Sequence, residues 1–183
     1  MKSKSPPAHV VATLDDLAER AADGGYDVAV IGALARIARG SFENTAGVDV
    51  AASLNIDVDD GEPHPLGGSS FHVDGVPVQW ITRFDELAPL YLAAIERAET
   101  LPGWPLPVVR IDDHAAMLLA TRRGKDRERL GRLLVSGLLD PEAARARVLE
   151  LLGPYAIADI ERITQDAEWL AMRLRYTDDG EVH

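Results

Sequence analysis

The stretch Asp27–Asp49, which reads DVAVIGALARIARGSFENTAGVD, decides how this chain folds. Its apolar run Val28–Ile31 predicts a buried strand, and Gly32 predicts a tight turn into a short helix. A second apolar strand, Val48–Ala52, carries one acidic residue, Asp49. The order of strand, glycine turn, helix and strand therefore places Asp49 in a sheet whose other strands lie further along the chain.

Two more strand-like segments follow. Val76–Thr82 predicts a third strand, and the Asp-, Gly- and Pro-rich segment Asp57–Gly68 before it predicts a loop past the edge of the sheet. Asp85 is placed to cap a helix over Glu86–Glu99. After a Pro-rich turn, Val108–Ile111 predicts a short strand that adjoins the same sheet.

From Asp112 onward the pattern is helical only. Asp112 is placed to cap a helix over Asp113–Arg123, and Asp140-Pro141 combines an N-cap with a proline at the first helical position. Strands first and helices later predict an α+β protein, with a small mixed β-sheet, flanking helices and a C-terminal helical extension. The expected divisions are a flexible N-terminus (1–10), an α/β core (11–111), a C-terminal helical part (112–175) and a flexible tail (176–183).

Composition narrows the classes of function. The 183 residues carry a net charge of −11 and no cysteine. The negative charge disfavours broad nonspecific binding to DNA, and the lack of cysteine excludes disulfides and thiolate chemistry. The start Met1–Pro7 does not resemble a signal peptide, and no apolar run approaches the roughly 20 residues that span a bilayer. We therefore expect a cytoplasmic protein with no membrane partner.

The strand that carries Asp49 suggests a metal-dependent nucleotidyl transfer site with incomplete chemistry. Such a site needs carboxylates at positions i and i+2 of one strand, and a third on the neighbouring strand, to hold two divalent ions. Asp49 fills the second position, but Gly47 and Gln79 stand at the other two. The alternative interpretation is that Asp49 is a solvent-facing acid at the end of a strand.

The order and spacing of these segments resemble those of the minimal nucleotidyltransferase superfamily. The segments are Gly32-Ala33-Leu34-Ala35, Thr45–Val50, Gly75–Trp80 and the later Met117–Asp126, which resembles the family's helix ending in Lys-Asp. Within the superfamily the chain resembles bacterial proteins related to the AbiEii-type toxins of toxin–antitoxin systems. The resemblance spans most of the chain and implies a nucleotidyltransferase-like core.

The resemblance also implies residue roles, which we state as expectations. Asp49, Lys125 and Asp126 would be catalytic, and Asp49 and Gln79 would contact Mg²⁺. The residues expected to bind the nucleotide are Gly32, Ala33, Arg122, Arg123 and Lys125. An active protein would use Mg²⁺ and an NTP, with an RNA or protein acceptor or a cognate antitoxin as partner. Because two acids are missing, the alternative is a non-catalytic pseudoenzyme that binds a nucleotide, RNA or protein and needs no cofactor.

Two further groups of charged residues carry alternative interpretations. Asp57 and Asp59 also have the i, i+2 spacing of a metal pair, although acids are common in loops for solubility alone. The segment 122–132 contains six basic and two acidic residues, which leaves a net charge of −15 for the rest of the chain. This basic segment is either a solvated helix face with local ion pairs or a surface that binds phosphate groups or nucleic acid.

Overall fold

The computed structural model describes residues 4–58 and 60–178, with side chains described as far as residue 172. The chain separates into two compact units, Met1–His114 and Ala115–His183. The division falls inside a helix, Ile111–Ala120, close to the predicted start of the helical part at residue 112. Residues 179–183, at the end of the predicted tail, lie outside the described part, as do residues 1–3.

The first unit consists of a sheet with helices. Its elements, in chain order, are a 3₁₀ turn at Ala8–Val10, then α1 (Val11–Gly24), β1 (Val28–Val30), α2 (Gly32–Ala38), β2 (Val48–Ala52), β3 (Glu62–Pro63), β4 (Gly68–Val73), β5 (Val76–Ile81), α3 (Ala88–Glu96) and the start of α4 (Ile111–Ala120). The strand order across the sheet is β1-β2-β5-β4-β3. Strands β2 and β5 run parallel, whereas every other neighbouring pair is antiparallel. This mixed sheet confirms the predicted α+β class.

Apolar residues that alternate along the two central strands form the core of the first unit. Val48, Val50, Val78 and Trp80 are fully or almost fully buried. The Trp80 indole also satisfies its one donor, because Nε1 donates to the carbonyl oxygen of Leu54 at 2.9 Å. Such burial contributes about 1.5–3 kcal/mol of stability per large apolar side chain. Because side chains alternate along a strand, the residues between these four positions project from the other face of the sheet.

Five local predictions differ from the structure. The predicted cap at Asp85 is wrong, because α3 begins at Ala88 and its N-cap residue is Leu87, whose backbone N–H donates to the Asp85 carboxylate at 3.1 Å. Strand β4 was not predicted, and β3 falls inside the segment Asp57–Gly68 that was expected to be a loop. The segment Val108–Ile111 is not a strand: Val108 forms only isolated bridges, to Val30 and Glu99, and the helix α4 already begins at Ile111. Asp112 is consequently not the cap of that helix but lies in its first turn, where a carboxylate is favoured by the helix dipole.

The second unit is helical. It contains the rest of α4, then α5 (Gly124–Val135), α6 (Pro141–Leu152), a 3₁₀ turn at Pro154–Ala156 and α7 (Ile157–Asp178). The predicted N-cap of α6 is confirmed, since the Asp140 side chain accepts a hydrogen bond from the backbone N–H of Ala143 at 2.8 Å. These helices confirm the predicted C-terminal helical extension. In the described part of the chain no helix is long and apolar enough to cross a membrane.

Candidate functional site

A glycine turn brings the start of α2 against Asp49. The backbone of Ile31, just after β1, donates to the carbonyl oxygen of Asp49 at 2.9 Å. Gly32 then adopts a φ of 64°, and a side-chain carbon at this position would overlap the Asp49 carboxylate oxygen Oδ2. Only glycine satisfies both the backbone conformation and the close approach. The turn predicted at Gly32 is therefore present, and it lies directly beside the Asp49 carboxylate.

Asp49 and Gln79 are direct neighbours on the two parallel strands. The register pairs Asp49 of β2 with Gln79 of β5, as the sequence-based arrangement required. Adjacent strands lie about 4.8 Å apart, so one ion or one phosphate group can reach both side chains. Both residues alternate with buried apolar neighbours, and both therefore project from the opposite face of the sheet. Asp49 is half-buried there, whereas Gln79 is exposed.

The position expected to hold the first acid is occupied by Gly47 for a steric reason. A side-chain carbon on Gly47 would lie 2.6 Å from the carbonyl oxygen of Pro77 and 3.0 Å from the proline ring. The Thr45 hydroxyl caps the same turn by donating to the Gly47 carbonyl oxygen at 2.9 Å. Because a backbone atom closes the space, the backbone must shift before any side chain fits at position 47.

Strand β4 adds polar residues to the face that carries Asp49 and Gln79. Ser70 pairs with Gln79 across the strands, and Glu62 of β3 pairs with Ser70. The four residues form a row across the sheet, which we call the polar row: Asp49, Gln79, Ser70 and Glu62. Since strands are about 4.8 Å apart, an ion between Asp49 and Gln79 is too far from Glu62 to bind it, but a larger ligand can reach Ser70.

The sequence did not predict that Ser70 and Glu62 extend the polar row, because β4 was not predicted as a strand. Two signals could have identified this strand. Phe71 and Val73 alternate with polar residues, which is the pattern of a half-buried strand. Asp74-Gly75, which connects β4 to β5, has positive φ at both positions, 50° and 80°, and this dipeptide is a strong indicator of a two-residue hairpin.

A buried arginine holds the loop that leads from α2 into the Asp49 strand. The Arg36 side chain is only 3% exposed, and its guanidinium donates to both carboxylate oxygens of Glu43, at 2.8 and 2.7 Å. The remaining nitrogen Nη1 lies 2.9 Å from Nε2 of the buried His114. A bidentate interaction of this kind fixes the orientation of the two side chains as well as the distance between them. Arg36 thus positions the loop before Asp49 rather than the ligand.

The structure describes only one residue of the other proposed metal pair, Asp57 and Asp59. Asp57 is exposed in the loop after β2, and its partner Asp59 lies outside the described residues. Within residues 4–58 and 60–178, no group of three or more His, Cys, Asp or Glu side chains is arranged to hold a metal ion. The donor set of Asp49 and Gln79, one carboxylate and one amide oxygen, fits a single hard cation that takes its remaining ligands from phosphates and water. It does not fit a pair of ions.

The residues expected from the second unit surround the start of α5. Arg122, Arg123 and Lys125 are exposed, and Arg122 has a φ of 56°. Asp126, by contrast, is fully buried and accepts hydrogen bonds from Thr121 at 2.7 Å, from Arg123 at 2.5 Å and from Arg129 at 2.7 Å. These bonds give the carboxylate a structural role within its own unit. The expectation that Lys125 or Asp126 reaches the Asp49 site stays a prediction.

The bonds to Asp126 also determine its ionisation. Burial alone would raise the pKa of this carboxyl, but the hydrogen bonds from Thr121, Arg129 and Arg123 outweigh burial and hold the pKa below its usual value. Asp126 is therefore a carboxylate at neutral pH.

Comparison with known proteins does not assign a family. A scan against protein-family models found no match, and a search of curated proteins found none either.

Proposed function

We propose that this chain is a nucleotidyltransferase-fold protein that binds one magnesium–nucleotide complex at Asp49 and Gln79 and performs little or no nucleotidyl transfer. The observation that carries the proposal is the parallel pairing of Asp49 with Gln79 beside the Gly32 turn. Mg²⁺ in nucleotide complexes keeps several waters and takes one or two protein oxygens besides the phosphates. One carboxylate and one amide oxygen are sufficient for that role.

Weak catalysis follows from the same residues. Transfer through two ions requires carboxylates that neutralise and position both of them. Gly47 has no room for such a side chain, and Gln79 brings no charge. The alternative is an enzyme that transfers a nucleotidyl group from an NTP to an RNA or protein hydroxyl in a toxin–antitoxin pair. The position of Asp49 against the Gly32 turn is equally compatible with that alternative, since the resemblance implies a bound triphosphate at this turn in either case.

Nucleotide binding is tested by isothermal titration calorimetry of the full chain with each NTP, in Mg²⁺ and in a chelator. We expect binding that depends on Mg²⁺ and weakens about tenfold or more in Asp49→Asn, because a charged ligand contributes about 1.5–3 kcal/mol. The matched control is Asp57→Asn, which removes an exposed loop acid of the same type. Loss of binding in Asp57→Asn but not in Asp49→Asn would place the metal in the loop and contradict the proposal.

Transfer is measured separately, by incorporation of label from each NTP into RNA and protein acceptors. We expect no detectable or very slow incorporation. Robust Mg²⁺-dependent incorporation that disappears in Asp49→Ala would replace the proposal by the enzyme alternative. Incorporation that Asp49→Ala leaves unchanged would place the chemistry elsewhere in the protein.

A further inference from the structure

Helix α5 carries a basic face that its packing leaves open. Lys125, Arg129 and Arg132 follow each other at spacings of four and three residues, so they lie along one side of the helix. Asp126, Leu130 and Leu133, one position further along in each case, are the buried residues of the helix. The rise of about 1.5 Å per residue makes the basic side roughly 10 Å long. Arg122 and Arg123, immediately before the helix, extend it.

Buried Asp126 holds two of these arginines in place. Arg123 donates to the Asp126 carboxylate through Nε, and Arg129 donates through Nη1. Their side chains nevertheless remain 50% and 36% exposed, so both are still accessible from solvent. An arginine that is already fixed loses less conformational entropy when it binds a ligand. The basic face is thus partly preorganised by a group beneath it.

Three cations of this face form no ion pair within the described part of the chain, although one acid, the exposed Glu128, lies on the same side of the helix, three residues after Lys125 and four before Arg132. Arg122, Lys125 and Arg132 are exposed and form no ion pair with any residue that the structure describes. Arg127 differs, because it pairs with Asp159 at 3.1 Å. We define the α5 basic face as Arg122, Arg123, Lys125, Arg129 and Arg132.

The composition of the α5 basic face indicates the kind of ligand. The exposed side chains of the segment 122–132 are all charged. Its apolar side chain, Leu130, is buried, and Gly131 has no side chain. Protein–protein interfaces concentrate apolar and aromatic residues at their centre and deplete charges there. Arginine-rich surfaces without an apolar centre instead suit phosphate oxygens, which the guanidinium fork binds in pairs.

We propose that the α5 basic face binds the phosphodiester backbone of a nucleic-acid strand. This function goes beyond nucleotide binding at Asp49 and does not depend on it. The rest of the chain has a net charge of −15, but charges further away than the Debye length, about 8 Å at physiological salt, are largely screened. Binding is therefore local and independent of base sequence, and it decreases steeply as salt is added.

The test measures binding of the full chain to a short fluorescein-labelled single-stranded RNA by fluorescence anisotropy over a series of salt concentrations. A DNA strand of the same sequence forms a second arm. For four to five phosphate contacts, log K should fall against log[salt] with a slope of about −3. Binding of either strand with this slope supports the proposal, and the two arms show whether the backbone is RNA or DNA. Undetectable binding of both strands, or a slope near zero, would overturn it.

Variants connect the binding to the α5 basic face. Lys125→Gln and Arg132→Gln each remove an exposed charge without touching Asp126, so each should reduce the slope by roughly 0.7 and leave the melting temperature unchanged. Arg162→Gln is the matched control, an exposed base on α7 of the same unit. An equal loss in Arg162→Gln would refute the assignment to α5. So would a polyglutamate peptide that binds as tightly as RNA, because the face would then suit acidic proteins.

Discussion

Gly47 and Pro77 approach each other at the start of the parallel pair β2–β5, and this approach closes the position where a first metal-binding acid would stand. A side-chain carbon at position 47 would lie 2.6 Å from the Pro77 carbonyl oxygen. The backbone cannot yield as easily as a flexible side chain would. The packing against Pro77 therefore leaves no space for a carboxylate side chain at position 47 unless the backbone shifts.

The first prediction concerns this packing. Gly47→Ala should destabilise the protein by about 1–3 kcal/mol, since extra atoms in a filled space force backbone shifts. Gly124→Ala is the control, because nothing lies near a side-chain carbon at that position, and it should change stability little. Urea unfolding followed by circular dichroism measures both. If the two substitutions have equal effects, the contact with Pro77 does not constrain position 47.

The second prediction concerns the charge at position 79. Gln79→Asp places a second carboxylate directly opposite Asp49, so repulsion should lower stability somewhat without Mg²⁺, whereas Mg²⁺-dependent nucleotide binding should strengthen. Titration calorimetry with and without Mg²⁺ measures the gain, which we expect to be about tenfold. Gln79→Asn, which adds no charge, is the matched control. A gain in Gln79→Asn as large as in Gln79→Asp would show that charge is not the cause.

The third prediction separates two constraints on Gly32. Alanine there is strained by about 1–2 kcal/mol because φ is positive, and it also meets the Asp49 carboxylate. Gly32→Ala should therefore cost more in the wild-type protein than in Asp49→Ala, where only the backbone strain remains. A double-mutant cycle of unfolding free energies measures the difference. A coupling energy of zero would mean that the turn and Asp49 are not in contact in solution.

Most of the first unit's framework could be predicted from local patterns. Apolar runs separated by glycine identify β1, β2 and β5, because burial and turn chemistry are properties of neighbouring residues. Strand β4 was overlooked because Gly68-Ser69-Ser70 resembles a loop, although Asp74-Gly75 indicated its hairpin. Val108 and Val109 resemble a strand, but Asp112 and Asp113 favour a helix start so soon afterwards that only bridges form.

The geometry of the candidate sites was harder to predict from the sequence than the fold was. The pairing of Asp49 with Gln79 could be predicted, because the resemblance supplies the order of the strands. The contact between Gly47 and Pro77 could not, since it depends on how closely two strands distant in sequence approach each other. The burial of Asp126 was missed for a related reason. An acid between basic residues looks solvated until Thr121, Arg123 and Arg129 close around it.

The fourth prediction concerns the acid stability that Asp126 contributes. Its pKa is lower in the folded protein than the unfolded value of about 3.9, so its contribution is complete above that value and is lost as pH falls through the folded pKa. Asp112, whose pKa is also lowered, contributes in the same range, so only the difference between variants is informative. Asp126→Asn should cost about 1–3 kcal/mol at neutral pH and progressively less in acid. Urea unfolding from pH 7 downward measures this, with Asp166→Asn as the control for net charge. A cost that stays constant down to pH 2 would contradict the assignment.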